Sequence, residues 1–595
     1  MAMFSQEVWL LPIIYIVSFI TIITIGKSLK QGGAFINAIF AMLAFALSVI
    51  VLIERLQPHT LDYSFHLDWL IIGDVYYTVG YEITNLTSWL LTLVSGVYFL
   101  IHIIMLQKKV QIVGSSIYAY MSLLMFAVSG LLLSDSILSF YICSILVSVS
   151  VYLMLAHTSF DCNQKLIWRY VLSQIVAHTA LLVVIVVLYW YMPDKSLQFT
   201  MLQNVFGGQS EQFTEAMLFW LALSILANVI FLIGAFPYLN WLKLGRYQPP
   251  LLQLLITTLG FIIVPIYTLI SFSELVTSSP IIVTLCAWVG LLFVVWCTIR
   301  LLVHRNNEGS YYVQMNIGLL LFAYGHEAYG FMVVQLTIWL LAIIIIYTTM
   351  LRHNSIIIFG AFMIAVITLV GAPPLSGYWL QQWLVTSIYT ENTIWFVPSL
   401  FVLLSSSLSS TVFFMRYWKQ AKQQSKQPIT STTQLSLYVV LAIIVPAIML
   451  VFFGLFWLLK NGAIHYWLFG QHNEMEIQIV PILMSMIFIS IGVAVGWLYS
   501  ERMNESVEKR FLTIEETVYK IANNIRDRAI QLSSYTVQWF VSLEHILYQL
   551  FTVWLLYPIR RISHMSANTT LIRSTVWMII IVSIFTVLYT LIGRG

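Results

Sequence analysis

Charge is scarce in this chain. Only 9% of its 595 residues are Asp, Glu, Lys or Arg, against 60% hydrophobic, whereas soluble domains carry roughly 25% charged residues. Such a composition excludes an ordinary soluble enzyme. Cysteine is scarce too: Cys143, Cys162, Cys286 and Cys297 are far apart, with no CxxC or Cys/His ligand spacing, so neither a disulfide framework nor a metal site is expected. Haem, flavin, nucleotide and iron–sulfur motifs are missing, so no cofactor, no catalytic residue and no nucleic-acid partner is expected. The first apolar run is a full-length span followed by Lys27 and Lys30, not by a small-residue cleavage site, which argues against a cleavable signal peptide.

What the chain has is long hydrophobic runs. A membrane span needs about 20 apolar residues, and such runs fall near 7–26, 33–53, 86–107, 112–133, 136–156, 167–191, 217–239, 250–272, 280–303, 312–325, 329–351, 355–377, 394–415, 435–459, 478–499 and 574–592. The tenth is the shortest. Lys and Arg gather on the cytoplasmic side of membrane proteins, and with these sixteen spans 24 of the 28 basic residues fall on one side, leaving Arg55, Lys195, Lys460 and Arg594 opposite. The expectation is an all-α polytopic protein with both termini facing away from the cytoplasm or matrix.

Residues 501–570 interrupt the alternation of spans and short loops. They contain no Gly and only Pro558, which reads as helix. At 1.5 Å per residue such a helix extends on the order of 100 Å, too long to cross a bilayer, so it is expected to lie along the surface. A seventeenth span at 536–557 is the alternative, opposed by Glu544 in its middle, since a central acidic residue costs about 2.5–3.5 kcal/mol.

Proline breaks helices, and a broken span is tolerated only where protein or a cavity meets the freed backbone groups. The candidate breaks are Pro237 in the seventh span, Pro265 in the eighth, and Pro373, Pro374 and Gly377 in GAPPLSGYW, 371–379, at the end of the twelfth. Spans seven and twelve are five apart, as inverted five-helix repeats require. The expected division is 1–111 (spans 1–3), 112–272 (repeat 1), 280–415 (repeat 2), 416–500 (spans 14–15), 501–570 (lateral amphipathic helix) and 571–595 (anchor span).

GAPPLSGYW, together with FPYLNWL at 236–242, Gln248-Pro249-Pro250 and GVYFLIH at 96–102, resembles the motifs of the antiporter-like membrane subunits of respiratory complex I, which are shared with Mrp-type antiporters. The sixteen-span layout is similar to subunit 5 (subunit L in bacteria) of that NADH:quinone oxidoreductase. The resemblance implies a proton path of ionisable residues at the midplane. Where the family has a Trp-Glu pair this chain has Cys143-Ser144; the span-seven lysine falls near Leu232 and the span-eight histidine near Ile256. In span eleven histidine and lysine fall near Gln335 and Trp339, and a Lys-Asp pair becomes Gln381-Gln382.

The loss is visible without the family, because intramembrane relays use Asp, Glu, His or Lys, and spans 4–13 have almost none away from their ends. Gln174, Asn228, Gln253 and Thr257 hold hydrogen bonds without titrating near neutral pH. His178 is the remaining relay candidate, with a helix-contact histidine as the plainer reading. The other ion-path candidates are Ser144, Gln335 and Gln381. Asp135 is expected to cap span five, and His326-Glu327 to form a solvated cap between spans ten and eleven.

The chain is therefore expected to be a membrane subunit of a complex-I-like or Mrp-like ion-translocating assembly, structural or with an altered ion route. Its expected partners are other membrane subunits and the lipid bilayer. The expected location is a bacterial inner membrane, with a mitochondrial inner membrane as the other setting. Two further readings are the membrane partner of an inorganic-carbon uptake complex and an independent secondary transporter.

Overall fold

The computed structural model describes residues 4–25, 32–57, 62–72, 75–106, 115–192, 197–207, 213–234, 249–303, 308–349, 356–391, 393–424, 437–459, 463–469 and 478–501. The chain divides into two compact units, Met1–Glu508 and Lys509–Gly595, and all described residues belong to the first. The expected surface helix, apart from its first residue, the anchor span and Pro237 lie outside the described residues.

Helices α1 (Leu10–Ile25), α2 (Gly32–Arg55), α3 (Asn85–Met105) and α4 (Ser115–Leu133) form an N-terminal bundle. Helix α5 (Ile137–Tyr191) holds the fifth and sixth spans. Its backbone is helical throughout, yet Ser148 Oγ and His178 Nε2, 30 residues apart, are 2.8 Å from each other, whereas a straight helix would separate them by about 45 Å. The segment doubles back as a hairpin. A short α6 (Phe199–Gly207) and α7 (Glu215–Ile233) follow. Spans eight to fifteen then comprise α8 (Pro250–Leu255), α9 (Ile263–Ser271), α10 (Ser273–Thr277), α11 (Pro280–Val303), α12 (Glu308–Tyr324), α13 (Tyr329–Thr349), α14 (Ile356–Val370), α15 (Ser376–Glu391), α16 (Phe396–Gln424), α17 (Leu437–Leu459), α18 (Ala463–Phe469) and α19 (Ile479–Glu501).

Twelve helical segments among the described residues are long and apolar enough to cross a membrane. Of the other expected spans, the tenth and twelfth occur as shorter helices of 17 and 15 residues and the fourteenth as α17, 23 residues long, so the fold class stands while the count of sixteen rests on the sequence. The eighth and eleventh spans are the most enclosed, with 89% and 94% of an apolar 18-residue stretch buried, against 28% in the first. They form the axis of the bundle.

The breaks differ in part from expectation. In the eighth span a π-helical turn, Ile256–Gly260, separates α8 from α9, and Pro265 follows in the first turn of α9, where the helix restarts after Phe261 and Ile262. In the twelfth, α14 ends at Gly371 with φ +80°, and Pro373 and Pro374 lie in the gap before α15. Gly377 is inside α15, in contact with the Thr368 carbonyl, where any side chain would clash with backbone. Helix α7 ends in the same way, on Gly234 with φ +65°. A left-handed C-cap favours glycine, and Gly234-Ala-Phe-Pro and Gly371-Ala-Pro-Pro place it three residues before a proline in both repeats.

One element was not expected in an all-α fold. Tyr63–Ile72 (β1) and Val75–Ile83 (β2) pair antiparallel between spans two and three, on the side opposite the basic residues, with an irregularity between Asp68 and Leu70. Period-two alternation is short here and lies between two long apolar runs that dominate any hydropathy reading.

Candidate functional site

Among the described residues a buried polar cluster lies inside α5. His178, Ser148 and Gln174 meet between the two arms of α5, all buried. Ser148 Oγ donates to Gln174 Oε1 at 2.8 Å, an oxygen that can only accept. The remaining contact, 2.8 Å from Ser148 Oγ to His178 Nε2, is then donated by the imidazole. Gln174 Nε2 donates onward to the Leu232 carbonyl at 3.4 Å, and Ser173 Oγ to the Phe231 carbonyl. The string thus runs from histidine through serine and amide to a backbone oxygen, and an amide does not pass a proton on.

Its terminus explains its residues. The last carbonyls of a helix lack the usual i+4 partner; at the end of α7 the Gly234 N–H turns back to the Ile230 and Phe231 carbonyls, and the Leu232 carbonyl lies beside them. Ser173 and Gln174 therefore act as side-chain caps for a helix that ends inside the bundle. Asn228 Nδ2 donates to the Ala177 carbonyl at 2.8 Å, binding the same helices. Ser144, an expected path residue, bonds instead to its own helix through the Tyr141 carbonyl at 2.8 Å. His178 Nδ1 and Asn228 Oδ1 are buried without a protein partner.

The other expected residues are dispersed. Gln335 and Trp339 lie on α13 beside Ile262, the residue before α9. Gln381 packs against Gly371 at the twelfth-span break, its Oε1 without a partner, and Gln382 Nε2 donates to Ser485 of α19. Leu232, Ile256 and Trp339, which occupy expected ionisable positions, are all buried. Among the described residues no group of three or more His, Cys, Asp and Glu side chains could hold a metal ion.

Two loop expectations are corrected. Ser136, not Asp135, caps α5 by accepting from Ser139 N–H. Asp135 is buried and pairs with His66 of β1 at 2.7 Å while accepting from Gly80 N–H at 3.1 Å, so it fastens the hairpin to the head of span five. Glu82 on the same hairpin has its carboxyl pushed up by burial, with Asp62 and Asp135 adding to the effect and His66 opposing it.

His326 is not a solvated cap. Its ring lies 4.8 Å from Phe322 and 5.1 Å from Trp395, while Glu327 takes φ +55° at the exposed tip. Burial lowers the His326 pKa to about 4 from 6.5. A histidine that is harder to protonate when folded stabilises the fold above the unfolded pKa and loses that contribution as pH falls. Amide exchange in the 325–328 turn, corrected for intrinsic rate, is therefore expected to accelerate between pH 6.5 and 4, and His326→Phe to flatten that response.

A second polar network was missed. Asn37 of α2 makes five hydrogen bonds: Nδ2 donates to His102 Nε2 at 3.0 Å and to the Tyr118 carbonyl at 3.1 Å, while Oδ1 accepts from Tyr98 at 2.9 Å, Ser122 at 2.9 Å and Ser18 at 3.2 Å. His102 donates from Nδ1 to the Tyr98 carbonyl at 2.8 Å, so its Nε2 is the bare acceptor that Asn37 requires. Every member is buried. The available signal was an Asn in span two and a His in span three, each mid-run in otherwise apolar sequence.

No family model matches the sequence. It is similar to NAD(P)H-quinone oxidoreductase subunit 5 of Mesostigma viride chloroplasts, 21% identical over 436 residues, which cover 66% of each chain. It is also similar to NAD(P)H-quinone oxidoreductase chain 5 of Synechocystis sp., 22% identical over 466 residues covering 70% of this chain and 67% of that one. The matches thus span about two thirds of these relatives' length. Among solved structures, the Mrp complex from Dietzia sp. DQ12-45-1b aligns with TM-score 0.68 at 14% identity, over 99% of this chain and 63% of that one. The membrane-bound sulfane sulfur reductase, an archaeal respiratory membrane complex, aligns with TM-score 0.63 at 12% identity, over 83% of this chain and 100% of that one. The chain has the antiporter-like membrane fold, and its sequence relatives are subunit 5 proteins.

Proposed function

We propose that the chain is a membrane subunit of a complex-I-like or Mrp-like assembly, resident in a bacterial inner membrane, that holds its neighbours together without carrying the usual midplane proton path. The observation that carries the reading is the terminus of the His178 string. Hydrogen bonds run through Ser148 and Gln174 to the Leu232 carbonyl, where a pump would need a second titratable group to receive the proton. Lipid and other membrane subunits are its partners on this reading.

The test is the purified assembly in liposomes, with proton movement per turnover measured for wild type and His178→Ala. Unchanged movement is expected. Collapse of transport in a variant that still assembles would make His178 a relay residue and overturn the structural role.

A further inference from the structure

Helices α7 and α14 stop in the same way and leave the same backbone atom without a partner. In α14 the Gly371 N–H donates to the Thr368 carbonyl at 3.2 Å and the Ala372 N–H to the Ile367 carbonyl at 3.1 Å; in α7 the Gly234 N–H turns back to the Phe231 and Ile230 carbonyls. A left-handed glycine cap thus serves the carbonyls three and four residues before the glycine. The carbonyl two residues before it gains nothing from the turn. That atom belongs to Leu232 in α7 and to Leu369 in α14, and four residues beyond Leu369 stands Pro373, which has no N–H to offer. Both leucines are buried.

In each repeat a side chain from a neighbouring span supplies the missing donor. Gln174, on the second arm of α5, donates from Nε2 to the Leu232 carbonyl at 3.4 Å, and Ser410 of α16 donates from Oγ to the Leu369 carbonyl at 3.3 Å. Each donor is held from behind. Gln174 Oε1 accepts from Ser148, and Ser410 Oγ lies 3.3 Å from the Tyr312 hydroxyl, which donates because the serine hydrogen is committed to the carbonyl. The two strings use different residues on spans six and thirteen, yet they end on the corresponding atom. Ser173 adds a bond to the Phe231 carbonyl. At α14 close backbone packing adds to the hold, since a Cβ on Gly377 would fall 1.8 Å from the Thr368 carbonyl, and one on Gly454 of α17 would fall 2.8 Å from Ser376 N.

We propose that Gln174 and Ser410 are paired positioning residues that lock the ends of α7 and α14 at equivalent carbonyls, making the two helix ends fixed parts of the scaffold and not moving gates. Swinging either end away would strip the donor from a buried carbonyl, and the bilayer core has no water to replace it. The same requirement is met by an amide in one repeat and a hydroxyl in the other, so the common element is the bare carbonyl and not a repeated residue. The lock stands whether or not the assembly moves protons.

The experiment is amide hydrogen exchange on the full chain in its native assembly, for wild type, Gln174→Met and Ser410→Ala. Wild type is expected to protect the amides at 230–234 and at 367–372 as well as those in the middle of the same helices. Gln174→Met, of similar volume but without the donor, is expected to speed exchange at 230–234 about threefold, the effect of one side-chain hydrogen bond inside a membrane protein, and to leave 367–372 unchanged. Ser410→Ala is expected to do the reverse, and either variant serves alone if the other does not assemble. Helix ends that exchange in wild type as fast as an open loop, a variant without effect at its own helix end, or an acceleration spread evenly through the bundle would each overturn the proposal.

Discussion

Replacing Asn37 by Leu is expected to destabilise the N-terminal bundle by about 3 kcal/mol, from five hydrogen bonds at about 0.6 kcal/mol each, the average for side-chain bonds inside a membrane protein. The figure is the larger because the partners are left behind. Tyr98, Ser18, Ser122 and His102 belong to three other helices, α3, α1 and α4, and each keeps a polar group facing the gap. Leucine is close in size, so the effect reads hydrogen bonding more than volume. The measurement is unfolding of the purified chain by denaturing detergent, followed by a probe in α2, beside Ser48→Ala as a control. Ser48 bonds only within the α2–α3 contact, to Ser95 at 2.7 Å and to the Phe45 carbonyl, so its loss should cost under about 1 kcal/mol. Equal effects of the two substitutions would mean that Asn37 is not the node of the network.

The sequence made the membrane class and most of the spans legible because long apolar runs and one-sided basic residues are signals along a single strand of text. Helix breaks were only half legible. Prolines lie beside the interruptions of the eighth and twelfth spans, but the π-turn at Ile256–Gly260 has no composition of its own. The repeated glycine, Gly234 and Gly371, was the better marker. The hairpin escaped because hydropathy windows of span length average over strands of 10 and 9 residues.

For the site, the replacement of ionisable residues could be read one position at a time, while the purpose of the substitutes could not. Gln174 reads in sequence as a hydrogen-bonding residue that does not titrate; in three dimensions it caps the end of α7. His178 looks solitary and is joined to Ser148, 30 residues away. Partnership of this kind depends on how the arms of α5 fold back, and hydropathy carries no information about which face of one span meets another. Asp135 illustrates the same limit at the head of span five, since its partner His66 is 69 residues distant.

Trp339→Ala tests whether bulk, as much as missing charge, closes the centre of the protein. Trp339 is buried on the eleventh span, the most enclosed in the bundle, and removing a buried aromatic side chain costs about 3–5 kcal/mol. Detergent unfolding should register that loss. The more telling consequence concerns water. Truncation would enlarge a cavity that Asn316 and Gln335 also line and so open their amides to it, and a roomy site with polar partners fills with water where an apolar one stays dry. Passive proton permeability of liposomes carrying the assembly should therefore rise in Trp339→Ala and stay at the wild-type level in Trp339→Phe, which keeps most of the volume. Permeability that does not change in a folded Trp339→Ala variant would show that the block lies elsewhere along the axis, with Leu232 and Ile256, both buried, as the next positions to truncate.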